Sequence, residues 1–287
     1  QDIAGDRGKY EAWRLHPWLQ FYVAAASMDL LGSNTFAARF PFALFGIAVL
    51  IATYFFAEEL FGNEKIALLA AGLLATSIPF ILLCRQSRYY SLLIFFSLAT
   101  TWMYWRLMNR KKFALPSFII AASLCFHSFY PGFLLLPLGM VVHAAVFHRR
   151  RLKPLFKAFA LTALINFPWL LWFRAYPGVR KNIYNPSAIV ERMAAFTVDI
   201  GDFVFSPWLL AVLPVLAVIH RLDPDRLGID LNAWRNPAAL PILLVIATVV
   251  FFSIPAHTFF RYLSPAIPLL CILAALIVYA AFRAHAL

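Results

Sequence analysis

The sequence predicts an all-α protein, a polytopic bundle of about nine transmembrane helices with one further helix lying on the outer surface. Three observations carry this. Of 287 residues, 63% are hydrophobic and only 13% are charged, with a mean hydropathy of +0.77; a soluble domain has about 45–50% apolar and about 25% charged residues. The apolar residues fall into runs near the length that a helix needs to cross a bilayer. The 25 Lys and Arg sit in short clusters between those runs, so the net charge of +12 marks span ends and not a nucleic-acid stripe. These features exclude a soluble globule and a disordered chain. They also exclude a disulfide scaffold, because Cys84, Cys125 and Cys271 lie in or at the edges of apolar stretches.

Taken in order, the chain opens with polar residues that show no signal-peptide pattern. Trp18 to Leu31 is apolar but only about 14 residues long and contains Gln20, Ser27 and Asp29, which suits an interfacial helix better than a span. The expected spans are roughly 42–60, 66–84, 90–108, 113–129, 131–147, 155–173, 203–219, 237–254 and 265–282. The apolar stretch 113–147 is too long for one crossing and is expected to break at Pro131 and Gly132. Two regions result: an outward loop with the interfacial helix over 1–41, and a transmembrane helical domain over 42–287 with an outward loop near 174–202.

Alternate short loops hold Lys65; Arg106, Arg110, Lys111 and Lys112; Arg149, Arg150, Arg151, Lys153 and Lys157; Arg221, Arg226 and Arg235; and Arg283. The opposite short loops hold Arg85, Arg88 and Arg261. By the positive-inside rule the first set is cytoplasmic, and 1–41, 85–89, 174–202 and 255–264 face outward.

Outward cations at span ends are costly unless they serve a ligand or a buried partner. Snorkelling to headgroups explains any one arginine; for the set, a lipid phosphate is the better occupant, because guanidinium forks match phosphate oxygens. Arg39, Arg85, Arg88 and Arg261 are the candidate phosphate ligands, and His16, Tyr89, Tyr90, His127 and Tyr262 the candidate substrate contacts. Asp199 and Asp202 offer acids in the outward loop, against a reading as surface-helix acids, whereas Asp223-Pro224-Asp225 reads as a cytoplasmic turn. No Walker glycines, zinc spacing or internal repeat occurs in the sequence. A divalent metal is compatible with these motifs and none requires it.

Four segments occur in series: His16-Pro17-Trp18-Leu19, Arg39-Phe40-Pro41-Phe42-Ala43-Leu44-Phe45-Gly46, Arg85-Gln86-Ser87-Arg88-Tyr89-Tyr90-Ser91-Leu92 and Arg261-Tyr262-Leu263-Ser264-Pro265. Over nearly the whole chain this order resembles the GT-C glycosyltransferases of the dolichyl-phosphate-mannose protein mannosyltransferase and aminoarabinose transferase type. The resemblance implies inverting transfer of a sugar from a polyprenyl-phosphate donor to an acceptor hydroxyl of a protein, lipid or glycan. The active face would be periplasmic or lumenal, in a multi-pass protein of the bacterial inner membrane. It also implies a first span and an acidic Asp-Glu pair upstream of Gln1; the acids present in that loop, Asp2, Asp6 and Glu11, are the candidate catalytic carboxylates. The alternatives are a transporter or flippase of an anionic lipid, which needs broken or charged helices at mid-membrane, and a catalytically silent scaffold.

Overall fold

The computed structural model describes residues 17–174, 188–203, 231–254 and 260–285. Over these the chain forms α1 (Leu19–Leu31), α2 (Thr35–Phe61), α3 (Glu64–Ala75), α4 (Ile78–Cys84), α5 (Tyr90–Met108), α6 (Ala114–Ser128) and α7 (Tyr130–Phe147). There follow α8 (Leu152–Ile165), α9 (Phe167–Arg174), α10 (Ile189–Phe203), α11 (Leu231–Ser253) and α12 (Ile267–His285), with short 3-10 turns at Arg149–Arg151 and Phe260–Ala266. The described residues form a helical bundle, as the composition requires.

Local chemistry sets the helix ends. Asn34 accepts a hydrogen bond from the Ala37 amide at 2.9 Å to start α2, and Gly62, at φ 63°, closes it with its N–H on the Glu58 carbonyl. Pro41 lies inside α2 and cannot donate to the carbonyl of Ala37. Ser27 Oγ donates to that carbonyl at 2.6 Å instead, so the vacancy created by the proline is what ties α1 to α2. The exposed apolar residues of α2, Phe40, Leu44, Ile47, Ile51 and Phe55, form one stripe at the i, i+3, i+4 spacing of a helix face. The opposite stripe, Phe42, Gly46, Val49, Thr53 and Phe56, is buried, as expected of a helix with lipid on one side and protein on the other.

Among the described residues, four helices are long and apolar enough to cross a membrane: Thr35–Phe61, Tyr130–Phe147, Arg235–Ser253 and Phe260–Arg283. The expected span 66–84 is not straight: α3 and α4 meet at 65°, because Pro79 withdraws an amide from the helical ladder. The pair counts as a fifth crossing if it is one broken span. The expected 155–173 is likewise split into α8 and α9 at Asn166, with Pro168 just beyond. α5 has 19 residues but carries buried Ser91, Ser97, Thr100 and Thr101, so it is less apolar than the spans and sits at the centre, packed against α2, α6, α7 and the 3-10 turn before α12. The break at Pro131 occurs as expected, with Phe129 extended (φ −163°) between α6 and α7. α2 begins at Thr35, ahead of the expected start at 42, because Asn34 supplies a cap and Pro41 is tolerated. The expected span 203–219 lies almost wholly outside the described residues.

Candidate active site

Arg39, Arg85 and Arg88 meet at one end of the bundle. Together with Leu82, Gln86 and Ser87 they line a cavity of about 550 Å³. Arg39 comes from the second turn of α2, and the other two from the tight turn between α4 and α5. That turn is drawn close to α2 by Gly46: a β-carbon there would stand 2.9 Å from Cys84 Cβ. The Arg39–Gly46 segment therefore has two physical jobs, placing a cation at the cavity and leaving room for the residue that precedes Arg85. The Arg88 amide donates to the Gln86 carbonyl at 2.8 Å, and Gln86 Nε2 donates to the Leu82 carbonyl at 3.2 Å, holding the turn. All three arginines are exposed toward the cavity, and among the described residues no carboxylate pairs with any of them. Cations gathered without a counter-ion repel one another and favour an anionic occupant.

Arg261 does not line this cavity. It belongs to an adjoining aromatic column, its guanidinium carbon 5.8 Å from the ring centre of Tyr262. Tyr89 stacks on Phe129 (4.5 Å, 7° between planes), Phe129 faces Tyr262 (6.2 Å, 15°), and Tyr262 stacks on Phe252 (5.0 Å, 14°). Tyr90 lies beside Tyr89 at 4.5 Å and is buried. Burial pushes the Tyr89 phenol above its ordinary range and Tyr90 adds to the rise, while the nearby positive charge of Arg261 opposes it. Tyr89 and Tyr90, which follow Arg88 in the chain, are thus brought together with Arg261 and Tyr262. Phe129 and Phe252, which complete the column, were not legible as site residues; the sequence signal for Phe129 was only its place at the α6–α7 break.

A second, apolar groove of about 410 Å³ is lined by Ile78, Pro79, Leu82, Leu83, Phe260 and Asp202. Leu82 lines both spaces, so the cationic cavity and the apolar groove adjoin. Asp202 comes from α10, which is anchored by Arg192 donating from Nε to the Ser253 carbonyl at 2.7 Å at the end of α11. Asp199, one turn earlier, has its carboxyl raised above the ordinary value of 3.8 by burial and then by the charge of Asp202. Asp202 is the one acid among the residues lining either space.

His127 is placed elsewhere. Its ring meets Trp169 edge-on at 5.3 Å, and Trp169 meets Trp18 at 4.9 Å, so it joins α6 and α9 to the start of α1 and does not line the cavity. His16, Asp2, Asp6 and Glu11 lie outside the described residues, as does Asp223-Pro224-Asp225. No group of three or more His, Cys, Asp or Glu side chains converges among the described residues.

Comparison with known proteins follows the same geometry. Residues 15–172, more than half the chain, match the model of the dolichyl-phosphate-mannose-protein mannosyltransferase family. An uncharacterized protein of Aquifex aeolicus is 28% identical over 126 residues, covering 44% of this chain and 25% of that protein. Two crystal structures of ArnT from Cupriavidus metallidurans are similar in fold. The form bound to undecaprenyl phosphate has a TM-score of 0.70 and the apo form 0.67, each with 20% identity. Both cover 92% of this chain, and this chain spans 50% and 49% of theirs. With the match running from α1 through the cavity turn to α9, the chain belongs to the dolichyl-phosphate-mannose-protein mannosyltransferase family.

Proposed function

We propose that this chain is the donor-binding part of a membrane glycosyltransferase that takes a sugar from a polyprenyl-phosphate carrier and transfers it, with inversion, to an acceptor hydroxyl at the outward face of a bacterial inner membrane. One observation carries the reading: three arginines, with no carboxylate partner among the described residues, surround a cavity that adjoins an apolar groove through Leu82. A phosphate on a hydrocarbon chain has the same two-part character. ArnT of similar fold is known bound to undecaprenyl phosphate, which supports the same class of ligand here.

In this reaction the acceptor oxygen attacks the anomeric carbon and the bond from that carbon to the phosphate oxygen breaks. The hydroxyl proton passes to a carboxylate, and charge accumulates on the departing phosphate. Arg39, Arg85 and Arg88 stabilise that charge where it develops, and Arg261 holds the aromatic column beside it. Tyr89, Tyr90 and Tyr262 give the sugar stacking surface and hydroxyl partners, with His16 contributing from the amino-terminal side. The carboxylate is expected from the amino-terminal loop, where Asp2, Asp6 and Glu11 are the candidates.

The test is binding of undecaprenyl phosphate, followed by transfer from a radiolabelled polyprenyl-phosphate sugar. Saturable binding that Arg88→Ala abolishes supports the reading; binding unaffected by replacing all three cavity arginines overturns it. A second reading, movement of an anionic lipid across the bilayer, is favoured by the 65° break between α3 and α4. Lipid scrambling in vesicles without any acceptor would select it.

A further inference from the structure

The end of the bundle opposite the arginine cavity carries cations of a different kind. α5 has 19 residues and so separates its two ends by about 28 Å, close to the roughly 30 Å of a hydrocarbon core. At the far end, the last turn of α5, which leads into the basic loop, and the turn after α7 are tied together by Arg151, whose Nη2 donates to the Leu107 carbonyl at 2.8 Å. This one bond brings two basic stretches, distant in sequence, to a single surface. Arg110, Lys111, Lys112, Arg149, Arg150 and Lys153 are all exposed on it. Neither Asp nor Glu occurs anywhere between Lys65 and Val190. Glu59 is the nearby acid with a partner, and it is taken by Arg106 at 3.4 Å and by the Trp102 indole N–H at 2.7 Å.

The loop is also held in an uncommon shape. Arg110 and Phe113 both have φ 57°, a left-handed conformation that side chains other than Asn, Asp and Gly rarely adopt. Phe113 is 80% exposed. A strained backbone that carries a bare aromatic ring at the rim of six cations recovers its cost where the ring enters an apolar interface and the cations meet phosphodiesters.

We infer that this surface is a binding site for the headgroups of acidic phospholipids, with Phe113 seated between the chains and the six cations on the phosphates. Clustered Lys and Arg at span ends attract anionic lipid additively, and salt weakens the attraction. The site stands independently of the proposed glycosyltransferase reading, since it uses none of the cavity residues.

The test reconstitutes the full chain in nanodiscs of phosphatidylcholine with and without about one third phosphatidylglycerol. Retained lipid is counted by native mass spectrometry, and undecaprenyl phosphate binding is followed in parallel. The expected result is preferential retention of phosphatidylglycerol. It falls by about 10²-fold in Lys111→Glu/Lys112→Glu/Arg150→Glu and by less in Phe113→Asn, which keeps the left-handed backbone, while undecaprenyl phosphate binding is unchanged in both. Equal retention of the two lipids overturns the proposal. So does a triple variant that loses stability in pure phosphatidylcholine, because its cations would then serve pairs within the chain. Poly-glutamate bound in preference to phosphatidylglycerol would overturn it in favour of a soluble acidic partner.

Discussion

Both ends of α5 are cationic, and they handle charge in opposite ways. At the Tyr90 end Arg39, Arg85 and Arg88 converge on one cavity, and among the described residues no carboxylate pairs with them. At the Met108 end a chain of buried polar side chains runs from Tyr104 through His143 and Asn236 to His148. Tyr104 donates to His143 Nδ1 at 2.8 Å, and His143 Nε2, 3.2 Å from the Asn236 carbonyl, must carry the proton because a carbonyl only accepts. Asn236 Nδ2 donates on to His148 Nε2 at 3.3 Å. The surrounding Arg110, Lys111, Lys112, Arg149, Arg150 and Lys153 are exposed and line neither the cavity nor the groove. Convergence suits recognition of one phosphate in a fixed pose, whereas exposure outside any cavity suits many headgroups held loosely.

The sharpest way to break this comparison is to remove one charge at each end. Arg88→Ala is expected to lower transfer by about 10²-fold or more, since a preorganised cation facing developing charge is lost. Lys112→Ala should leave transfer within about twofold, because an exposed charge some 28 Å away is screened. Radiolabel transfer at saturating acceptor measures both. Equal losses would mean that the cavity has no special role.

Two glycines separate packing from chemistry. Gly46→Val drives a side chain into Cys84 Cβ, which cannot swing aside, and is expected to cost about 1–3 kcal/mol of stability. It should also weaken undecaprenyl phosphate binding, because Cys84 precedes Arg85. Gly139→Val meets the end of Leu244 at 2.8 Å and the Leu243 carbonyl at 3.2 Å on the α7–α11 contact, so a comparable loss of thermal stability should leave lipid affinity intact. A smaller effect is expected at Ser27. Its replacement by Ala leaves the Ala37 carbonyl without a donor in the turn that precedes Arg39, at a cost of about 1 kcal/mol. Thermal unfolding in detergent reads it directly.

These residues also show what the sequence makes legible. Lipid-spanning character, the α6–α7 break and the grouping of Arg39, Arg85 and Arg88 follow from composition, proline position and loop charge, which are local properties. The bend between α3 and α4 was missed, since 66–84 reads as one apolar run and a proline inside it fixes neither whether nor how far the helix turns. The aromatic column was half visible: tyrosines next to arginines could be singled out, whereas Phe129 and Phe252 look like any other apolar residue of a chain with 29 Phe. His127 illustrates the converse, since a histidine near a chain break reads as chemistry until its ring is found against Trp169. The clamp from Arg151 to Leu107 links positions 44 apart, and no local pattern announces such a bond.

The two ends should finally differ in how pH acts on them. Burial lowers His148 below its ordinary 6.5, and the charge of Arg151 adds to the fall. The unfolded chain therefore takes up a proton that the folded chain refuses, so stability falls as pH drops below about 6.5. Asp199 is shifted the other way: raised in the folded protein by burial and by Asp202, it holds a proton that the unfolded chain releases, so stability falls as pH rises from about 3.8 through the raised value. Asp199→Asn should remove the second dependence and leave the first, and His148→Gln should do the reverse. Melting curves of the two variants against pH test this, and parallel curves would mean that neither group is held as the structure places it.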